Sequence, residues 1–122
     1  MSTLVVSNIN DGTTTVPATY VTNGSAKAWV NFNGSGTIAA RDSLNLSSLT
    51  DNGIGDYTFN FSSNMANGNY TIHASTFRSK NGGLLEGQTP STSSYRVQFG
   101  ETVDGSERDL AYDFLANFGE LA

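Results

Sequence analysis

The chain is 122 residues long (12.9 kDa), room for one hydrophobic core and not for two. Its formal net charge of −5 falls entirely in the last 22 residues, where six acids face Arg108 alone, while residues 1–100 balance five acids with five bases; with no cluster of Lys and Arg to displace counterions, nucleic acid is excluded as a partner. Cys is absent and no stretch nears the roughly 18 apolar residues of a membrane span, which removes disulfide chemistry, thiolate chemistry and helical membrane insertion.

Hydrophobic residues make up 37% of the chain and charged residues only 14%, the latter against a usual ~25%. Ser, Thr, Asn and Gly fill the gap, a composition common in β-rich surface and fibre proteins. Seven Phe, five Tyr and one Trp are too many for a disordered chain. The Met1-Ser-Thr-Leu4 start has neither the basic nor the apolar region of a signal peptide, so synthesis in a cytoplasm is expected.

In chain order, Leu4-Val-Val-Ser-Asn-Ile9 reads as a first strand closed by the Asn10-Asp-Gly12 turn. Val16 to Val21 reads as a weak second strand, which Pro17 confines to an edge or a strand start. From Ala26 the alternation becomes regular: Ala28, Val30 and Phe32 share one face, and Lys27, Trp29, Asn31 and Asn33 the other. Thr37–Arg41 starts the next strand, and Leu44 and Leu46 continue the alternation of Ile38 and Ala40 across Asp42. Asp51-Asn-Gly-Ile-Gly-Asp56 is a turn, followed by Tyr57, Phe59 and Phe61 on one face. Asn69–Phe77 places Tyr70, Ile72 and Ala74 together; residues 79–94 are polar and Gly-rich apart from Leu84-Leu85; Tyr95, Val97 and Phe99 mark another strand.

Strands spaced in this way predict an all-β antiparallel fold, a sandwich or a small barrel; a single β-sandwich of jelly-roll-like type is the architecture expected. Its body is expected over residues 26–122, with residues 1–25 as an N-terminal attachment arm. The C-terminus supports two readings. Leu110, Tyr112, Phe114, Ala116 and Phe118 alternate as a strand does, whereas Ala111, Phe114, Leu115 and Phe118 form a helical stripe that Ser106 and Asp109 could cap.

Residues that could carry chemistry are few. His73 is the only histidine, and no Gly-x-Ser-x-Gly elbow accompanies it, so it reads as a solvent-facing strand residue. One His and no Cys cannot assemble the usual zinc ligands. Asp51, Asn52 and Asp56 offer oxygen donors for calcium, but the spacing is that of a hairpin turn and not an EF-hand loop. The same turn could hold an Arg41–Asp42 or Arg41–Asp56 pair. Asp51 and Asp56 carry no mark of a glycosidase acid pair. No catalytic residue, metal or cofactor is expected. Trp29 is the sharpest recognition candidate, read as core or subunit interface before ligand platform. Leu84 and Leu85 fit either a tuck beneath their own loop or a plug into a neighbouring subunit.

Ala26–Gly34, with its Ala-Lys-Ala-Trp-Val-Asn-Phe-Asn-Gly wording, then Arg41-Asp-Ser-Leu-Asn45, Asp51-Asn-Gly-Ile-Gly-Asp-Tyr57 and Asn69-Tyr70, resembles a recurrent module of tailed-phage tail-fibre and related virion proteins, frequent in phages of aquatic bacteria. Thr89-Pro-Ser-Thr-Ser-Ser-Tyr-Arg-Val97 is similar to its later strand entry, and Asp113–Gly119 sits where its last strand ends. The resemblance covers residues 26–77 closely and 89–119 loosely. It implies a β-sandwich, a last strand in place of a helix, a homotrimer and a place on the virion surface, with no catalytic residue. The short chain suits a short tail-fibre or receptor-binding subunit, or else a capsid decoration protein. Expected partners are copies of itself, other virion proteins and a host-surface glycan. The arm would attach through the strand Leu4, Val5, Val6 and Ile9, added to a neighbour's sheet edge. A small carbohydrate-binding module using Trp29 is the reading from a different class.

Overall fold

A computed structural model describes residues 1–77 and 82–122. Among the described residues, ten strands and one short helix follow in the order β1 (Asn8–Asn10), β2 (Thr15–Pro17), α1 (Thr19–Thr22), β3 (Ala26–Asn33), β4 (Ala39–Leu44), β5 (Leu46–Gly53), β6 (Asp56–Phe61), β7 (Thr71–Thr76), β8 (Gly82–Gly87), β9 (Ser94–Glu101) and β10 (Asp113–Phe118). Two four-stranded antiparallel sheets, ordered β4-β3-β10-β7 and β5-β6-β9-β8, pack face to face as a β-sandwich. The hairpins β3–β4, β5–β6 and β8–β9 each stay within one sheet. The chain changes sheets after β4, β6, β7 and β9, and β10 closes the fold by entering between β3 and β7.

The core is written by the alternations of β3, β6 and β9. Ala28, Val30 and Phe32 from one sheet meet Tyr57, Phe59, Phe61, Tyr95, Val97 and Phe99 from the other, all buried. Their rings interlock: Phe59 stacks on Tyr95 at 5.2 Å between centroids, and Phe32 meets Tyr57 edge-on at 5.1 Å. Each such ring contributes about 1.5–3 kcal/mol on burial, which explains how a chain with few aliphatic residues holds a core.

Several expectations are corrected. The first strand is three residues long, because Asp11 Oδ1 accepts the Thr13 and Thr14 amides in the turn (2.9 and 2.8 Å) and Ala18 N pairs back to Ser7 O (2.8 Å), after which the chain leaves the ladder. Among the described residues, Leu4, Val5 and Val6 therefore have no strand partner, and of the expected attachment strand Ile9 alone is paired, with Val16. The expected strand Val16–Val21 ends at Pro17 and turns into α1. None of residues 1–25 is buried.

The alternation through Leu44 and Leu46 is broken at Asn45, which adopts φ +56° and passes the chain from one sheet to the other. Its side chain replaces the lost ladder: Nδ2 donates to Ser63 O (3.0 Å) and Oδ1 accepts Ser63 N (2.6 Å). The turn read over 51–56 is tighter than expected, with only Ile54 and Gly55 between β5 and β6. Gly55 has φ +67°, and a Cβ there would lie 2.3 Å from Phe99 O, so only glycine fits. Within the Gly-rich segment 79–94, residues 79–81 lie outside the described residues, and Gly82–Gly87 forms edge strand β8.

Candidate functional site: an apolar outer sheet face

The C-terminal segment is a strand, and it is written inside out. Along β10, Asp113, Leu115 and Asn117 point into the sandwich, whereas Phe114, Ala116 and Phe118 point out. Tyr112 continues the outward set: Phe77 N donates to Tyr112 O at 2.9 Å, and the two rings meet edge-on at 6.2 Å. The ladder then fixes what lies beside them. Trp29 on β3 is flanked by Leu44 on β4 and Ala116 on β10, with His73 on β7 completing the row. One row further on lie Asp42, Asn31, Phe114 and Ser75. Trp29 is thus half-buried on the outer face of the β4-β3-β10-β7 sheet, at the centre of an apolar stripe.

Arg41 caps one end of the stripe. Asn31 opposes Asp42 and Phe32 opposes Ala40, leaving Arg41 as the extra residue of a bulge. Its guanidinium donates to Ala111 O (2.6 Å) and Asn31 Oδ1 (3.3 Å) and lies 4.0 Å from the Tyr112 ring centroid. The expected pairing of Arg41 with Asp42 or Asp56 is therefore not formed; the bulge aims it across β3 to an aromatic ring.

The opposite outer face is different in kind. Asn60 Nδ2 spans Ser48 and Thr50 (3.2 and 3.1 Å), Asn52 Nδ2 donates to Thr58 Oγ1 (2.9 Å), and Arg96 clasps Asp56 through both of its carboxylate oxygens. Gln98 links Asp56 (3.3 Å) to Glu107 (2.7 Å). The Arg96 guanidinium holds the Asp56 carboxyl below the usual carboxylate range. This face is a satisfied polar lattice that suits water.

The inward side of β10 pays for the outward one. Asp113 is fully buried, and among the described residues neither carboxylate oxygen finds a hydrogen-bond partner. Thr76, directly across the β10–β7 pair, donates to Tyr112 O instead (2.8 Å). Burial pushes the Asp113 pKa up to about 7; the nearby Thr76 hydroxyl opposes this, Asp109 adds to it, and Arg41 opposes it more weakly. Asn117 is also buried; its Oδ1 accepts from Tyr95 OH (3.0 Å), but its Nδ2 is unpartnered. Tyr57 OH lies 2.9 Å from Asp109 Oδ1 and 3.0 Å from Gly34 O, and burial raises its pKa.

The other singled-out residues are dispersed. His73 is exposed between Thr71 and Ser75 on β7. Asp51 Oδ1 accepts Gly53 N (3.0 Å) within its hairpin. Leu84 is exposed, while Leu85 is half-buried against Gly100, so the two leucines part company. Sequence reasoning missed the outward set of β10, although its signal, four apolar residues at period two, was in view. It missed Asp113 and Asn117 because a polar residue between aromatics reads as the wet side of a strand.

Neither a family model, nor a curated protein, nor a solved structure matches this chain.

Proposed function

We propose that this protein is a non-enzymatic structural subunit of a tailed-phage virion, carried on the particle exterior as a homotrimer and of the short tail-fibre or receptor-binding type. The observation that carries the reading is the contrast between the two outer faces: one a hydrogen-bonded polar lattice, the other a stripe of Trp29, Leu44, Phe114, Ala116 and Phe118. A sandwich that met water on both sides would not place three aromatic residues on the outside of a central sheet and two amide or carboxyl groups inside it. Association of copies through the apolar face accounts for the outward aromatic residues. The wording of residues 26–77 supports the virion setting, and the residues weighed for chemistry, Asp51, Asp56 and His73, serve a turn, an ion pair and an exposed strand position.

Size-exclusion chromatography with light scattering should return three times the 12.9 kDa chain mass, and antibody raised against the chain should label the tail region of purified particles. Label over the head would move the protein to capsid decoration. A monomer that binds glycans, and loses them in Trp29→Ala with the fold intact, would replace this reading with a carbohydrate-binding module.

A further inference from the structure

Two apolar surfaces on this chain are left uncovered, and each has the chemistry to cover the other. The first is the outer stripe on the β4-β3-β10-β7 sheet. Phe77, Tyr112 and Phe118 are 80, 44 and 39% exposed, and with about 150–250 Å² per aromatic side chain they alone offer roughly 250–400 Å² of open ring surface. That already reaches the size of the largest patch on an ordinary monomer, about 300–600 Å², before Trp29, Leu44 and Phe114 are added. It falls short of the ~800 Å² per partner that a stable complex buries, so face-to-face contact of stripes needs a supplement.

The second surface supplies it. Leu4 and Val5 are 84 and 89% exposed and, among the described residues, have no strand partner. Residues 1–10 contain no charged side chain, so Leu4–Val6 can lie on the stripe without burying a side-chain ion. The charged groups bordering the stripe are engaged close to home: Lys27 Nζ on Ser25 O (2.6 Å) and Oγ (2.9 Å), Arg41 on Ala111, Asn31 and Tyr112, and Asp42 through Oδ1 on its neighbour's amide, Ser43 N (2.8 Å). Where the stripe meets the start of β3, a cleft of about 480 Å³ opens between Lys27, Leu44, Ser63 and Leu121. Leu44 and Leu121 present apolar carbon to it, enough for a Leu or Val side chain to enter.

We infer that the segment Leu4–Val6 of one copy lies on the outer face of the β4-β3-β10-β7 sheet of a neighbouring copy, so that the arm covers the stripe in trans. This rests on the homo-oligomeric part of the proposed function and adds the identity of the covering segment. The contact is with the sheet face, which distinguishes it from strand addition at an edge.

The absence of native cysteine makes the test clean. Two full-length variants, Val5→Cys and His73→Cys, each change an exposed residue outside the core. Mixed and treated with a short bis-maleimide, they should give a Val5-to-His73 cross-linked product, identified by mass spectrometry of the joined peptides, in preference to products between like variants. Phe118→Asp introduced into the His73→Cys chain should reduce that product at least tenfold. Trimers by light scattering without the cross-link would overturn the arm as the covering segment and leave the oligomer standing. A monomer with no cross-link would overturn both. An intramolecular cross-link in the doubly substituted chain, with none between chains, would place the arm on its own sheet and likewise overturn the inference.

Discussion

Asp113 occupies a position that the surrounding core would suit to a leucine: between Phe32 and Thr76, with no exposed surface and, among the described residues, no hydrogen-bond partner for its oxygens. Its consequence is a pH dependence of definite sign. The unfolded chain titrates near 3.8 and the folded one near 7. Between those values the folded state holds a proton that the unfolded state has lost, so stability falls as pH rises from about 4 to 7 and is level above. At about 1.4 kcal/mol per pH unit the full loss approaches ~4 kcal/mol. Asp56 acts in the opposite direction and in another window: its lowered pKa gives stability that is lost only as pH falls below the ordinary carboxylate range. Asp113→Asn should therefore match the parent near pH 4 and exceed it at pH 8 by roughly 2–4 kcal/mol, read from urea midpoints across pH. Parallel stability curves for the two chains would show that the carboxyl is solvated.

At the scale of elements, the corner at Asn45 sets how β4 hands the chain to β5. Asn45→Gly keeps the φ of +56° and loses both side-chain bonds to Ser63, a cost of about 1–2 kcal/mol. Asn45→Val adds the strain of a β-branched residue in that region, about 1–3 kcal/mol more. Thermal melts of the two variants should rank in that order, and equal melting points would remove the corner from the account. This residue also shows what a sequence withholds. In β3, β6 and β9 the period-two signal has one greasy and one polar set, so element and buried face are legible together: Val30, Phe59 and Val97 are inside as expected. At Asn45 the alternation of Leu44 and Leu46 runs through a left-handed residue that flips nothing in the pattern yet changes sheets. In β10 the apolar set Phe114, Ala116 and Phe118 faces out and the mixed set Asp113, Leu115 and Asn117 faces in, so periodicity identifies the strand but points to the wrong side as wet. Leu4-Val-Val6 has strand composition, but among the described residues no strand pairs with it, so composition alone set the expected strand too early. Of the candidate site, Trp29 and its outward face were legible, while its neighbours Phe114, Phe118 and Leu44 became a surface only through cross-strand register.

At the scale of the whole molecule, the sandwich is two-faced. Water is accommodated by the Asn, Thr and Arg96–Asp56 lattice on one side, and on the proposed reading the other side is covered by another copy. The single tryptophan sits in the middle of that second side, which makes it a reporter of coverage. Trp29 fluorescence, followed from high to low protein concentration with acrylamide as quencher, reads the claim directly. If sister copies cover the β4-β3-β10-β7 face, emission is blue-shifted and shielded in the concentrated sample, and becomes red-shifted and quenchable on dilution or in Phe118→Asp. A Trp29 that is equally open to quencher at every concentration, with the far-ultraviolet spectrum of an intact β-fold, would contradict the account.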